Sequence, residues 1–198
     1  MRNQRNFFKF YGKIISIRSD KNDGKSAYIT LRVVNGTTSS FLEIRCLKEI
    51  IPPHRTHSYV EIEGYVSGNC IKINDKYIYN HRLNGVKITV SKSLIEEEFG
   101  VEGFYREPKN SYWFLTGIIK DVLLDEKNDF QRYITEITLP DQSSSQVVIS
   151  WRCNSANPCF KIDDAVCAVC TPAVSDKRNR NQQLYLNFNV FDMRSFDL

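Results

Sequence analysis

One offset of about 105 residues brings separate stretches of this chain onto each other, and that internal repeat limits the fold more than any other feature. Tyr28-Ile29-Thr30 falls on Tyr133-Ile134-Thr135, and Gly12 with Ile14 falls on Gly117 with Ile119. The run from Ser40 falls on the run from Ser145, and Val86 and Ile88 fall on Phe191 and Met193. Whatever one half folds into, the other half must be able to form as well. The repeat predicts two small domains, residues 1–92 and 111–198, with a linker at 93–110. In the linker, Ser93 and Glu96 have the spacing of a capping box, so SLIEEEFG predicts a short helix ending at Gly100.

Each half carries five strand-like runs separated by Gly, Asn, Asp, Ser or Pro. The first half has FKFYGKIISIR, AYITLRVV, SFLEIRCL, SYVEIEGYVS and KYIYNHRLNGVKITV; the second has YWFLTGIIKDVLL, RYITEITL, SQVVISWRC, IDDAVCAVCTPAV and QQLYLNFNVFDM. Ile29, Leu31 and Val33 alternate with Tyr28, Thr30 and Arg32, and Val60, Ile62, Gly64 and Val66 alternate with Tyr59, Glu61, Glu63 and Tyr65. That period of two gives each strand one buried and one wet face. Between the third and fourth runs stand KEIIPPHRT and CNSANPCFK, too rich in proline for more than one helical turn. Five strands, a long first strand and a connection at that point predict an all-β chain of two tandem five-stranded OB-fold barrels with a short linker helix.

Several function classes lack their residues. No apolar run approaches the ~20 residues of a membrane span, and MRNQRNFFKF has no signal-peptide core, so an intracellular protein with no membrane partner is expected. Cys167 and Cys170 form a C-x-x-C that Cys153 and Cys159 would complete as a zinc site. On a strand, however, residues three apart face opposite ways, so the expectation is core thiols and no metal. His54 and His57 flank the loop PPHRTH, and neither a phosphate loop nor a nucleophile elbow is present. The expectation is a non-enzyme without cofactor; the rival here is a nuclease built on carboxylates and arginine.

Charge points to a polyanion. Residues 1–92 hold 16 Lys and Arg against 7 Asp and Glu, whereas residues 93–198 hold 11 against 16. The wet faces of the basic half mix rings with cations: Tyr28, Arg32, Phe41 and Arg45 on the second and third strands, then Tyr65, Tyr77, Tyr79 and Lys87 on the fourth and fifth. Rings stack on bases and cations pair with phosphate, which is the equipment of a sequence-tolerant single-strand binder. Lys21 and Lys25 lie in the loop after the first strand, and Lys72 and Lys76 in the loop after the fourth. In the second half the corresponding hairpin offers Lys177, Arg178 and Arg180.

Phe10-Tyr11-Gly12-Lys13-Ile14 resembles the opening strand, and Val60-Glu61-Ile62-Glu63-Gly64 the fourth strand, of the single-stranded DNA-binding proteins of bacteria, phages and plasmids. The resemblance covers residues 7–92 and implies strand binding by Tyr28, Arg32, Phe41 and Arg45. The expected partner is single-stranded DNA, acting in replication, repair or mobile-element transfer, with association into a homo-oligomer or with replication proteins. Two alternatives belong to other classes: an RNA-binding OB protein, and a protein-interaction subunit of a larger replication or telomere-type complex.

Overall fold

The computed structural model describes residues 5–35, 38–53, 58–74, 76–90, 111–124, 130–154, 159–178 and 184–195. Ten strands carry the chain: β1 (Asn6–Ser19), β2 (Ser26–Asn35), β3 (Thr38–Leu47), β4 (Tyr59–Ile73), β5 (Lys76–Val90), β6 (Tyr112–Leu124), β7 (Phe130–Thr138), β8 (Ser144–Arg152), β9 (Ala165–Arg178) and β10 (Leu184–Ser195). Each coincides with one of the ten runs read from the sequence. The largest extension is in β4, which continues six residues past Ser67. The helix expected at Ser93–Gly100 and the loop histidines His54 and His57 lie outside the described residues.

Two compact units divide the chain. One comprises Phe8–Tyr65 and Arg82–Ser111; the other comprises Met1–Phe7, Val66–His81 and Tyr112–Leu198. This partition differs from the expected division at 1–92 and 111–198, because the outer arms of β4 and β5 cluster with the later strands.

In the unit holding Phe8–Tyr65, β1 pairs antiparallel with β4 from Phe8–Gly64 to Lys13–Tyr59, and with β2 from Lys13–Arg32 to Ser19–Ala27. β2 pairs with β3, β3 runs parallel to β5 at Ile44–Leu83, and β5 lies beside β4. The circuit closes into a five-stranded barrel. Phe8, Phe10, Ile14, Ile29, Leu31, Leu42, Ile44, Val60, Ile62 and Leu83 fill it, each fully or almost fully buried. Gly12 permits the closure, since a Cβ there would collide with the Arg32 carbonyl of β2. A bulge between Ile14 and Ser16 then shifts the register within the ladder of β1 with β2.

The later strands follow the same pairing order: β6 with β7, β7 with β8, β8 parallel to β10, β10 with β9, and β9 back to β6. β6 bulges between Ile119 and Asp121, as β1 does between Ile14 and Ser16, and a Cβ on Gly117 would stand 2.5 Å from the Glu136 carbonyl. One expected match is out of register. Ile29 pairs with Ile44, whereas Tyr133 pairs with Ile149, so Tyr133 occupies the position of Ile29 and not that of Tyr28. Because side chains alternate, the slip of one residue sends Tyr133 into the core while Tyr28 stays on the wet face.

Asn6 ties this second unit together. Its Oδ1 accepts from Trp113 Nε1 (3.0 Å) and from the Val66 amide (3.1 Å), and its Nδ2 donates to the Val66 carbonyl (2.7 Å). The Ser145 hydroxyl accepts from the Gly68 amide and donates to the Gly68 carbonyl. Tyr79 donates to Asn187 Oδ1 at 2.8 Å, and Tyr77 donates to Asp121. His81 is buried between Tyr79 and Phe188, each ring 5.3 Å away. Its Nδ1 faces the Leu186 carbonyl at 2.8 Å and its Nε2 accepts from the Val148 amide at 2.9 Å, which fixes the neutral tautomer with the proton on Nδ1.

Burial pushes the His81 pKa down to about 4. With a folded value below the unfolded ~6.5, the histidine's contribution is complete above pH ~6.5 and is lost as pH falls towards 4. The linked loss from about pH 7.5 to about pH 5 is ~2 kcal/mol, to be measured by chemical denaturation at the two pH values. An NMR titration of the ring should give a midpoint near 4; a midpoint near that of a free imidazole would overturn this account.

Candidate nucleic-acid interface

Register arranges the wet face of β1, β2 and β3 into three rows. Lys13 pairs with Arg32, and Arg32 with Phe41; Ser16 pairs with Thr30, and Thr30 with Glu43; Arg18 pairs with Tyr28, and Tyr28 with Arg45. The first row runs on to β4, where Lys13 pairs with Tyr59. Tyr59, Lys13, Arg32 and Phe41 thus form one rung over four strands, ring–cation–cation–ring, spanning roughly 14 Å at the usual interstrand spacing.

The electrostatics of the rows differ. In the first, Lys13 Nζ lies 5.8 Å from the Tyr59 ring centroid, Phe41 is 44% exposed, and no carboxylate among the described residues pairs with Arg32. Four cations elsewhere on the unit, Lys9, Arg18, Arg45 and Lys87, are engaged by carboxylates. Arg18 lies 4.8 Å from the Tyr28 centroid and pairs with Glu43 at 3.1 Å. Arg45 meets Asp20 at 3.3 Å and Asp23 at 2.6 Å. Hydrogen bonds from the Asn22 amide, and then from Arg45, hold the Asp20 carboxyl below its ordinary range. The Ser26 hydroxyl and the Lys25 amide do the same for Asp23. Lys87 of β5 pairs with Glu63 of β4 at 3.4 Å, and Lys9 of β1 pairs with Glu61 of β4 at 3.0 Å.

The residues singled out from sequence therefore separate into groups. Tyr28, Arg32, Phe41 and Arg45 come together on β2 and β3 as expected. Tyr65 is half-buried on β4, Lys21 and Lys25 are exposed in the loop between β1 and β2, and Lys87 stands on the strand pair carrying Glu63. Tyr77 and Tyr79 belong to the other unit, bonded to Asp121 and Asn187, and Lys72 there lies 5.4 Å from the Tyr77 centroid. Lys76 opens β5, Lys177 and Arg178 close β9, and Arg180 lies outside the described residues.

Sequence reasoning missed Lys13 and Tyr59. Alternation along β1 and β4 puts both on wet faces, but only the register of β1 against β4 joins them to Arg32 and Phe41. It also missed a group in the second unit. Phe130 pairs with Arg152, whose guanidinium lies 5.9 Å from the ring centroid. Arg132 pairs with Ser150, and Ser150 pairs with Asn189; two residues beyond that pair stand Arg152 and Phe191, the latter 80% exposed. Phe191 lies in the bulge between Val190 and Asp192, a feature no pattern in QQLYLNFNVFDM announces.

Of the six cysteines, Cys46 and Cys170 are buried, Cys70, Cys153 and Cys167 half-buried and Cys159 exposed. Cys170 is fully buried and Cys167, three residues earlier on β9, faces the other way. Burial pushes the Cys46 thiol up to about 12 and the Cys170 thiol up as well, so neither offers a thiolate at neutral pH. Among the described residues no three His, Cys, Asp or Glu side chains gather as metal ligands, and no helix is long and apolar enough to cross a membrane.

No family model matches the sequence, and no curated protein matches it. Solved structures do share its fold. The wild-type single-stranded DNA binding protein from Thermus aquaticus aligns with a TM-score of 0.59 at 7% identity, covering 100% of this chain and 95% of that one. A deletion mutant of the same protein aligns with a TM-score of 0.58 at 8% identity, covering 100% and 97%. The likeness is one of OB-fold architecture, with almost no shared sequence.

Native protein treated with a small disulfide reagent should be labelled rapidly at exposed Cys159, with Cys46 and Cys170 protected until denaturant is added. Labelling of Cys170 in the folded state, read by mass spectrometry, would contradict its packing.

Proposed function

We propose that the chain is a tandem pair of OB-fold barrels, over residues 1–92 and 111–198 with a linker at 93–110, that binds single-stranded DNA without catalysing a reaction. The rung Tyr59–Lys13–Arg32–Phe41 carries this reading: a half-buried and an exposed ring bracket two cations, and Arg32 has no carboxylate partner among the described residues. Bases stack on rings of this kind and the backbone phosphate takes the cations, with little call for sequence. Fold likeness to proteins named as single-stranded DNA binding supports the same reading. In the second barrel, Phe130, Arg132, Arg152 and Phe191 supply rings and cations of the same kinds.

The test is fluorescence anisotropy of a labelled oligothymidylate. Binding at low salt should weaken as salt rises, by ~0.7 log units per decade for each phosphate contacted. Replacing Lys13 and Arg32 together with Ala should lower the slope by roughly 1.4 and weaken binding about tenfold or more. Phe41→Ala should cost ~1–3 kcal/mol through lost stacking, while Lys87→Ala, whose cation already faces Glu63, should change affinity less than about twofold. Absence of binding at low salt would defeat the proposal, and equal binding to a matched RNA strand would move it to the RNA class.

A further inference from the structure

Arg45 presents to its own chain the contact it would make with a nucleic acid. The side-on edge of a guanidinium, Nε–H together with Nη2–H, is the fork that takes two oxygens of one phosphate. In this protein the two donors of that fork go to different residues: Nε to Asp20 Oδ2 at 3.3 Å, Nη2 to Asp23 Oδ2 at 2.6 Å. Two carboxylate oxygens from one loop thus stand where the two oxygens of a phosphate would.

The loop that supplies them does not depend on Arg45. Asp20 Oδ1 accepts from the Asn22 amide at 3.0 Å, and Asp23 Oδ1 from the Lys25 amide at 3.0 Å. Asp23 Oδ2 also accepts from the Ser26 hydroxyl at 2.6 Å. Each carboxylate keeps these local bonds if the guanidinium turns away. The Arg45 side chain is 37% exposed and that of Asp23 36%, a setting where an ion pair is individually weak and exchangeable, while the Asp20 side chain is 9% exposed. Its strand partner Tyr28 presents an aromatic face beside it, under the Arg18 guanidinium.

We propose that Asp20 and Asp23 act as intramolecular stand-ins for a backbone phosphate, holding Arg45 in reserve, so that a single strand gains this contact only by displacing them. The proposal rests on the single-strand reading above and adds to it a device that lowers affinity. It makes the loop between β1 and β2 a competitor for the strand face it borders.

Asp→Asn replacement keeps one side-chain oxygen at each position to accept from the Asn22 and Lys25 amides; the new amide group at position 23 can donate to the Ser26 hydroxyl, and both the charge and the second acceptor oxygens that hold Arg45 are removed. The experiment is a cycle of four full-length proteins: wild type, Asp20→Asn with Asp23→Asn, Arg45→Ala, and all three changes together. Anisotropy with labelled oligothymidylate is measured over a range of salt. The expected result is tightening of about fivefold in the Asn pair, with the salt slope steeper by ~0.7 for one phosphate gained. Arg45→Ala should weaken the Asn pair about fivefold more than it weakens the wild type and abolish the added slope. Equal tightening with and without Arg45 would mean a general loss of negative charge and would overturn the device while leaving the function standing. No tightening would overturn it as well. If wild type and all variants fail to bind at low salt, the single-strand reading itself falls.

Discussion

Everything in the barrel of β1–β5 depends on one close approach, where β1 passes from its ladder with β4 to its ladder with β2. Lys13 is paired on both sides at that point, with Tyr59 and with Arg32. The strand can serve two neighbours only if the inward residue beside Lys13 leaves room for the β2 backbone. Gly12 does so, and any Cβ there would meet the Arg32 carbonyl. Closure follows, and with it the burial of Phe8, Phe10 and Ile14 against Ile29, Leu31 and Ile44. The same crossing sets the ring–cation–cation–ring rung, because Lys13 lies at its centre. A core constraint and a surface constellation are therefore two faces of a single residue pair, Gly12 inward and Lys13 outward.

Alternation converts register into chemistry. The tripeptide Tyr-Ile-Thr occurs in both halves, yet pairing with the third strand differs by one residue, so Tyr28 faces water and Tyr133 is sealed inside. Inside, the Tyr133 hydroxyl accepts from the Phe160 amide at 3.1 Å and lies 3.4 Å from Cys153 Sγ, whereas that of its half-buried twin Tyr28 bonds to Asp20 on the outer face. Spelling alone equates the two tyrosines; the hydrogen-bond ladder separates them. Exposed Phe130 and Phe191 then come from positions with no aromatic counterpart in the tripeptide match.

Net charge is a poor guide to which cations can act. The first 92 residues carry an excess of Lys and Arg, but Lys9, Arg18, Arg45 and Lys87 each face a carboxylate. Exposed pairs of this kind add little stability individually. Their main consequence is to grade the surface, leaving the Lys13–Arg32 rung electropositive and keeping Arg45 matched to Asp20 and Asp23. Long hairpin arms complete the redistribution. Tyr77 and Tyr79 look like first-half surface residues in the sequence and instead, with His81, lock the second unit through Asp121, Asn187, Leu186 and Val148.

By itself the sequence determined the ten strands, the inward and outward faces of β2 and β4, and the pairing of a basic half with an acidic one. These are local properties, written in the period-two alternation of runs such as AYITLRVV and YVEIEGYV and in the turn residues between them. It also placed Tyr28, Arg32, Phe41 and Arg45 together, since adjacent antiparallel strands bring their wet faces side by side. Only the tertiary structure decided which residues of β1 and β4 join that face, which cations are already paired, and that β4 and β5 run from one compact unit into the other. The reason is physical. Register between strands distant in the chain is set by where Gly12 admits a close approach and where bulges at Ile14–Ser16 and Ile119–Asp121 reset the ladder, and no alternation within a single strand encodes its alignment with another.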